Sequence, residues 1–470
     1  MIERVVNYLQ AEHDSILERL KTLLRIPSVS ADPAFGPHMD EARRYLATRL
    51  KEIGLHNVCE LDGGGEPAIY GEWLGAPGKP TILIYGHYDV QPADPLELWN
   101  SPPFEPTERD GRLFARGASD VKGSTTIALE VVAGFLAVTG QCPVNIKVFL
   151  EGEEETGSPS LRSIIERYRD LLGVDAVLSA DGGRASAAVP TINTGARGSG
   201  QLEFSVRTAS KDLHSGRYGG LVRNALHEMA RLVASLHDES GALAVEGFYA
   251  GVAPLTSAQR ADTAAFPFDA DAYVADVAAT HHGEPGFTVR EQMTIRPSLD
   301  VNGMWGGYTG TGGKTIIPNI ASAKLTVRVV EGQNPVDVLD AVVQHLRRHC
   351  PHGVSLEILA THGGAPASTL SPDHPLVRAA ETVLLNETGR RAAHVRLGAS
   401  VPITSIFKEM LGVDTLMFGY NLPDEDVHAP NEFFHLRSIG EGLRGWTFLL
   451  DELARYPVQD FAATQGASQA

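Results

Sequence analysis

Cysteine is scarce in this chain. Three residues in 470, Cys59, Cys142 and Cys350, lie far apart, which excludes a disulfide framework and a CxxC metal site and suits a reducing compartment. Basic residues are also short, 40 against 58 acidic ones, for a net charge of −18. That balance excludes nucleic acid and anionic membrane as the main partners, since both repel it. We expect no stretch long enough to span a bilayer. The opening MIERVVNYLQAEHDSILERLKTLLRIPSVS lacks the uninterrupted apolar centre of a signal peptide, so a cytoplasmic protein is expected. What the chain does have is length and 43% apolar residues, ample for two domains with separate cores.

Amphipathic helices are expected near 2–24 and 39–53, followed by strand-like HNVCEL, PAIYGEWL and TILIYGH. SDVKGSTTIALEVVAGFLAV reads as a loop entering a long buried helix, and NIKVFL as the next strand. A helix near 159–172 then leads into the strand DAVLSAD. Helices alternating with apolar strands predict an α/β fold, a mixed sheet flanked by helices. The texture changes at GARGSGQ (195–201). QLEFSVRTAS and SAKLTVRVV alternate apolar and polar residues as half-exposed strands do. With the helices NALHEMARLVASLHDE and PVDVLDAVVQHLRRH, and a Pro/Gly-rich middle between them, they predict a smaller α+β domain. After HGGAPAST (362–369) long helices and apolar strands resume. The expected division is therefore 1–197 with 364–470 as one domain and 198–363 as an insertion. The small, polar tail after Pro457 is expected to fray.

EGEEETGS (151–158) puts Glu151, Glu153, Glu154 and Glu155 at the end of a buried strand, where like charges repel. A charge run is ordinarily a solvated turn, and it gains meaning from its company. ILIYGHYDVQP supplies His87 and Asp89, GASDVKG supplies Asp120, LSADGG supplies Asp181, and NLPDEDVHAPNE supplies His428. Each alone has an ordinary reading, a structural histidine or a helix N-cap aspartate. Loops at the carboxyl ends of strands in an open α/β sheet converge on one crevice. Two imidazoles and several carboxylates gathered there, with no thiolate, suit Zn²⁺ or Mn²⁺ acting on water.

Taken with their flanks, GHYDVQP, WNSPPFEPTERDGRLFARGASDVKG, EGEEETGS, KDLHSGRYGG, GGYTGTGGKTIIP and HAPNE resemble the two-metal aminoacylase/carnosinase metallopeptidases. The branch they look most like holds the carnosinases and cytosolic non-specific dipeptidases, and the resemblance runs from IPSVS (26–30) to HAPNE (428–432). It implies a catalytic domain carrying an inserted lid and dimerisation domain, and metal-dependent hydrolysis of dipeptides. Two divalent metals per subunit, Zn²⁺ or Mn²⁺, are implied. Asp120 would bridge them, His87 and Asp181 would hold one, and Glu155 and His428 the other. Asp89 would orient His87, and Glu154 would be the general base that takes a proton from water. Glu151 and Glu153 are read as solvated or as supporting the ligands from behind. In the insertion, the resemblance makes His214 an oxyanion donor reaching the partner's site in a homodimer. Arg328 would grip the substrate carboxylate, and Thr315, Ser400 and His362 would be further substrate contacts. Val121 after Asp120, and GGR after Asp181, depart from the pattern without removing a ligand.

Rival readings are weaker. GGYTGTGGKT (306–315) has Tyr308 where a phosphate-binding loop needs glycine, and no helix follows it. His345 and His349 stand four apart, as zinc ligands can, but are expected on the outer polar face of their helix, opposite Leu339, Val342 and Leu346. A binding module that kept the fold without catalysis would have lost a ligand or the base. Hydrolysis of N-acyl amino acids, by a deacylase of the same family, is the alternative activity.

Overall fold

The computed structural model describes residues 1–266 and 268–463. The chain divides into two compact units, 1–194 with 370–395 and 406–470, and 195–369 with 396–405.

In the first unit a six-stranded sheet runs in the order His56–Leu61, Ala68–Trp73, Asn145–Glu151, Thr81–His87, Ala176–Ser179, Thr415–Met417. The first two strands pair antiparallel, and the second is antiparallel to the third; the last four are mutually parallel. The central strands are mostly apolar and buried, with Ile82, Ile84, Ile146, Val148, Val177 and Leu178 fully buried, as in strands covered on both faces. Their shared direction brings the ends at His87, Glu151 and Ser179 to one edge. In register, His87 lies opposite Glu151 and Tyr85 opposite Ser179.

The helix Gly123–Thr139 packs against Ile2–Ala11, His13–Leu24, Gly36–Ile53 and Leu436–Leu453. Ala128, Val131 and Val132 are fully buried on it, each larger side chain contributing about 1.5–3 kcal/mol. With its leading turn this stretch, Ala118–Thr139, is long and apolar enough to cross a membrane by length and composition, and 78% of its most apolar window is buried inside the protein. The expectation that no stretch reaches that length is thereby corrected, and the burial is that of a core helix.

Other expectations shift in detail. The helix near 2–24 is two, Ile2–Ala11 and His13–Leu24, broken at Glu12. The first half packs on Gly123–Thr139 and Leu436–Leu453, the second on Gly123–Thr139 and the Asp120 turn. The helix near 159–172 stops at Arg167. The tail forms the helix Val458–Ala463, anchored by Phe461, which is buried beside His374; that aromatic outweighs its polar neighbours. Residues 464–470 lie outside the described residues.

The second unit is an antiparallel sheet in the order Ser298–Gly306, Ile320–Val329, Gly198–Arg207, Ser355–His362. Ala225–Ala234 and Pro335–His349 pack on it. Leu202 faces Leu325 and Phe204 faces Ala323 across the strands, all buried against Leu339, Val342 and Leu346. The Pro/Gly-rich middle holds short helices opened by capping boxes, Thr256 with Gln259 and Thr288 with Glu291. The TxxQ and TxxE spacings were readable signals for them. His345 corrects an expectation. It is buried, hydrogen-bonded to Ser235 Oγ at 3.0 Å and stacked on His349, because Ala225–Ala234 continues toward it.

Candidate metal centre

Each residue of the centre stands just past a strand end or at a helix entrance. His87 closes its strand, and its backbone is fixed by the next turn: Tyr88 N–H donates to Glu151 O, and Val90 N–H to Ser28 O. Asp120 sits in the turn before Gly123–Thr139, Glu154 and Glu155 in a short turn after Glu151, and Asp181 two residues past Ser179. His428 lies in the long loop after Thr415–Met417, in left-handed backbone conformation.

Two groups form, sharing one residue. Ligand atoms of His87, Asp120 and Asp181 lie within 4.8 Å of one another, and so do those of Asp120, Glu155 and His428. Asp120 splits its carboxylate between them. Oδ1 is 3.2 Å from His87 Nε2, and Oδ2 is 2.8 Å from His428 Nε2, which also lies 3.2 Å from Glu155 Oε2.

The supporting contacts are equally specific. His87 Nδ1 lies 3.1 Å from Asp89 O and 3.4 Å from Asp89 Oδ1, so its proton is held on that nitrogen and Nε2 is turned to the cluster. Asp89 is fully buried, and its Oδ2 accepts from Ser30 Oγ at 2.7 Å and Glu155 N at 3.1 Å. One carboxylate thus ties His87, the Glu155 turn and the N-terminal segment. Gln91 Nε2 donates to Glu155 Oε2 at 2.9 Å and to Glu155 O at 3.2 Å. Glu151 is buried under the site with its Oε2 accepting from Tyr85 Oη at 2.6 Å, so the solvated reading fails for it. Glu153 folds back, accepting from Glu66 N and Ser160 N.

Crowded acids and imidazoles perturb one another. Burial raises Glu154 to about 8, opposed by nearby His87 and reinforced by Asp181, Glu155 and Asp120. Burial and Asp120 raise Asp181 to about 6. Burial works against ionised Asp120, yet the hydrogen bond from His428 and the nearby His87 imidazole hold it well below the usual carboxylate range. Asp120 and Glu155 raise His428 to about 10. Burial disfavours the His87 cation, but Asp120 and Asp89 outweigh it and the group rises.

A divalent cation fits this donor set. His87 Nε2 is buried and without a hydrogen bond, because its approach to Asp120 lacks the geometry for one. A buried imidazole nitrogen left so, facing two carboxylates, is what a metal would satisfy. Glu154 belongs to neither ligand group, although its environment places it among them.

The family model for peptidase family M20/M25/M40 matches residues 83–452. The chain belongs to that family. Among relatives of this M20-family chain, the human Beta-Ala-His dipeptidase is 28% identical over 479 residues, 97% of this chain and 93% of that protein. The Cys-Gly metallodipeptidase DUG1 of Saccharomyces cerevisiae is 28% identical, covering 93% of this chain and 95% of its own length. The M20 family metallo-carboxypeptidase Sso-CP2 of Sulfolobus solfataricus superposes with a TM-score of 0.79 at 30% identity, over 94% of this chain and 99% of the other.

The remaining expected site residues lie in the second unit. The strand Leu213–His214 pairs with Ile316–Ile317, and Ser215 N–H donates to Thr315 O at 3.0 Å, so His214 and Thr315 are neighbours. His214 Nδ1 accepts from Gly216 N–H at 3.0 Å, which puts the proton of the neutral ring on Nε2. Arg328 donates to Ser400 Oγ at 2.9 Å and, among the described residues, forms no ion pair. His362 is exposed at the end of its strand opposite Gln201, and no hydrogen bond among the described residues joins it to Arg328 or His214. Residues absent from the expected list were Ser30, Gln91, Arg116, Glu425 and Glu432. All five sit inside the quoted stretches IPSVS, GHYDVQP, WNSPPFEPTERDGRLFARGASDVKG and NLPDEDVHAPNE, where the flanks of the expected ligands were the available signal.

Proposed function

We propose that the protein hydrolyses the peptide bond of dipeptides with two divalent cations, Zn²⁺ or Mn²⁺, held about Asp120. The observation that carries this reading is the split of the Asp120 carboxylate, one oxygen toward each imidazole, in a chain whose near-full-length relatives include named dipeptidases. His87 and Asp181 complete one ligand group, Glu155 and His428 the other. When bound, the cation pair lowers the pKa of a water and polarises the scissile carbonyl.

The chain's own residues then do the rest. Glu154, unassigned as a ligand and set among the others, accepts the proton of the attacking water and passes it to the leaving amine. Asp89 keeps His87 in one tautomer, and Gln91 restrains the Glu155 carboxylate. His214, with its proton on Nε2, has the donor that an oxyanion needs. Arg328, without an ion pair among the described residues, is suited to a free carboxylate, with Ser400 fixing its guanidinium. Thr315, beside His214, and His362 remain substrate contacts on the family resemblance alone. A homodimer belongs to this reading, with His214 serving the partner's site. Val301, Met304 and Trp305 are exposed on the edge strand Ser298–Gly306, apolar surface of the kind a subunit contact covers. Cytoplasmic residence accords with the free cysteines.

Hydrolysis of N-acyl amino acids needs the same metal chemistry, and the names of the relatives favour the peptide substrate. A panel of dipeptides, tripeptides and N-acyl amino acids, presented to Zn²⁺- or Mn²⁺-loaded protein, decides. Fastest release of free amino acid from dipeptides is the expected result; preference for acylated amino acids would overturn it.

A further inference from the structure

Glu432 lies in neither ligand group, yet it is fully buried beside one. Both of its oxygens face the turn that carries Asp120. Oε1 accepts from Ser119 N–H at 2.9 Å and Asp120 N–H at 3.1 Å. Oε2 accepts from Gly117 N–H at 3.0 Å and from Arg116 Nη1 at 2.7 Å. Three backbone donors in a dry turn are thereby satisfied by one side chain, and Arg116 balances its charge. Gly117 is left-handed at φ 82°, and a side chain there would run into Val90, so the turn needs glycine at this position. Ser119 Oγ donates to Glu425 and Asn421 Nδ2 to Ser119 O, which brace the turn from the same region of chain. Glu432 ends the segment that His428 begins, and Asn431 between them pins that segment: its Oδ1 accepts from Asn100 N–H at 2.7 Å and its Nδ2 donates to Leu98 O at 2.9 Å.

We infer that Glu432 is a positioning residue for the bridging carboxylate. It sets the Gly117–Asp120 backbone so that Asp120 turns one oxygen to each ligand group, and it couples that orientation to His428 through a shared five-residue segment. The inference rests on the two-cation reading above. A residue needed only for folding would make the same hydrogen bonds, so the test must separate the roles.

Glu432→Gln preserves shape but replaces an acceptor with an NH₂ group facing N–H donors. Zn²⁺ affinity, measured by competition with a chromophoric chelator on folded protein, should fall about 10–100-fold. The visible spectrum of the Co²⁺-loaded variant should change, and kcat should fall with KM little altered. Should Glu432→Gln not fold, Asn431→Ala, at a partly exposed site, should show a smaller loss of the same kind. Normal Zn²⁺ affinity and an unaltered Co²⁺ spectrum in the folded variant, or in Asn431→Ala where only that folds, would overturn the positioning role and leave the two-cation reading standing. An unmutated protein that binds no Zn²⁺ or Co²⁺ would overturn both.

Discussion

In the metal-free protein the two imidazoles of the centre hold protons that a cation must expel. His428 is raised to about 10 by Asp120 and Glu155, and His87 is raised above its ordinary range by Asp120 and Asp89 despite its burial. Raised to about 10, His428 is imidazolium at pH 7 and cannot ligate in that form, and His87 is shifted in the same direction. Filling both sites therefore releases at least the His428 proton, and Glu154, raised to about 8, loses another as positive charge arrives. The sign follows directly. Because the folded value of His428 lies above its unfolded value, its contribution to metal-free stability is full below about pH 6.5 and fades as pH rises through about 10; His87, raised as well, acts in the same sense. Metal loading runs the other way, strengthening as the protons become easier to remove. Between pH 6.5 and 8 the product of the two association constants should climb at least about tenfold per pH unit, from the His428 proton alone. Titration calorimetry with Zn²⁺ in buffers of different ionisation enthalpy reads the proton count from the slope. Metal binding with no proton release would show that the histidines are not the ligands, and the reasoning would fall.

Glu154→Gln should fold, keep both metals and lose several orders of magnitude in turnover, whereas Glu155→Gln should lose metal first; ion content beside rate separates them, and a brisk Glu154→Gln enzyme would refute the base. If Arg328 grips a free carboxylate, a dipeptide should be cleaved much faster than its C-terminal amide, and Arg328→Ala should abolish most of that preference at a cost of roughly 2–5 kcal/mol on the free acid; equal rates on acid and amide in the unmutated enzyme would exclude this role. Glu154→Ala and His214→Ala should each be nearly inactive, and their co-expressed heterodimers should recover up to about a quarter of normal activity; heterodimers shown to form without recovery would remove His214 from the partner's site.

The α/β class was readable because central strands such as TILIYGH and NIKVFL are short, mostly apolar runs, as a doubly covered sheet demands. The gathering of the centre was readable for a related reason: His87, Glu155 and Asp181 each follow such a run, and parallel strands deliver their ends to one edge. What escaped depended on partners distant in sequence. His345 looks like a surface residue on its own helix, and its burial comes from Ser235, 110 positions away. Glu432 reads as one more loop acid until the turn at Gly117–Asp120 meets it from 312 or more positions upstream. Glu151 was obscured by its neighbours: in a run of acids nothing local marks the one that turns inward beneath Tyr85. Phe461 held down the first part of the tail, Val458–Ala463, whose small polar composition pointed to fraying.

The central claim is that Asp120 unites two cation sites on which peptide hydrolysis depends. Exhaustive chelation followed by stepwise return of Zn²⁺ or Mn²⁺, with bound metal and dipeptide hydrolysis read from the same samples, tests it most directly. The account predicts near-zero activity without metal, recovery complete at about two ions per chain, and loss of both ions together in Asp120→Asn. Activity that survives chelation, or an Asp120→Asn protein that still binds two ions tightly, would contradict it.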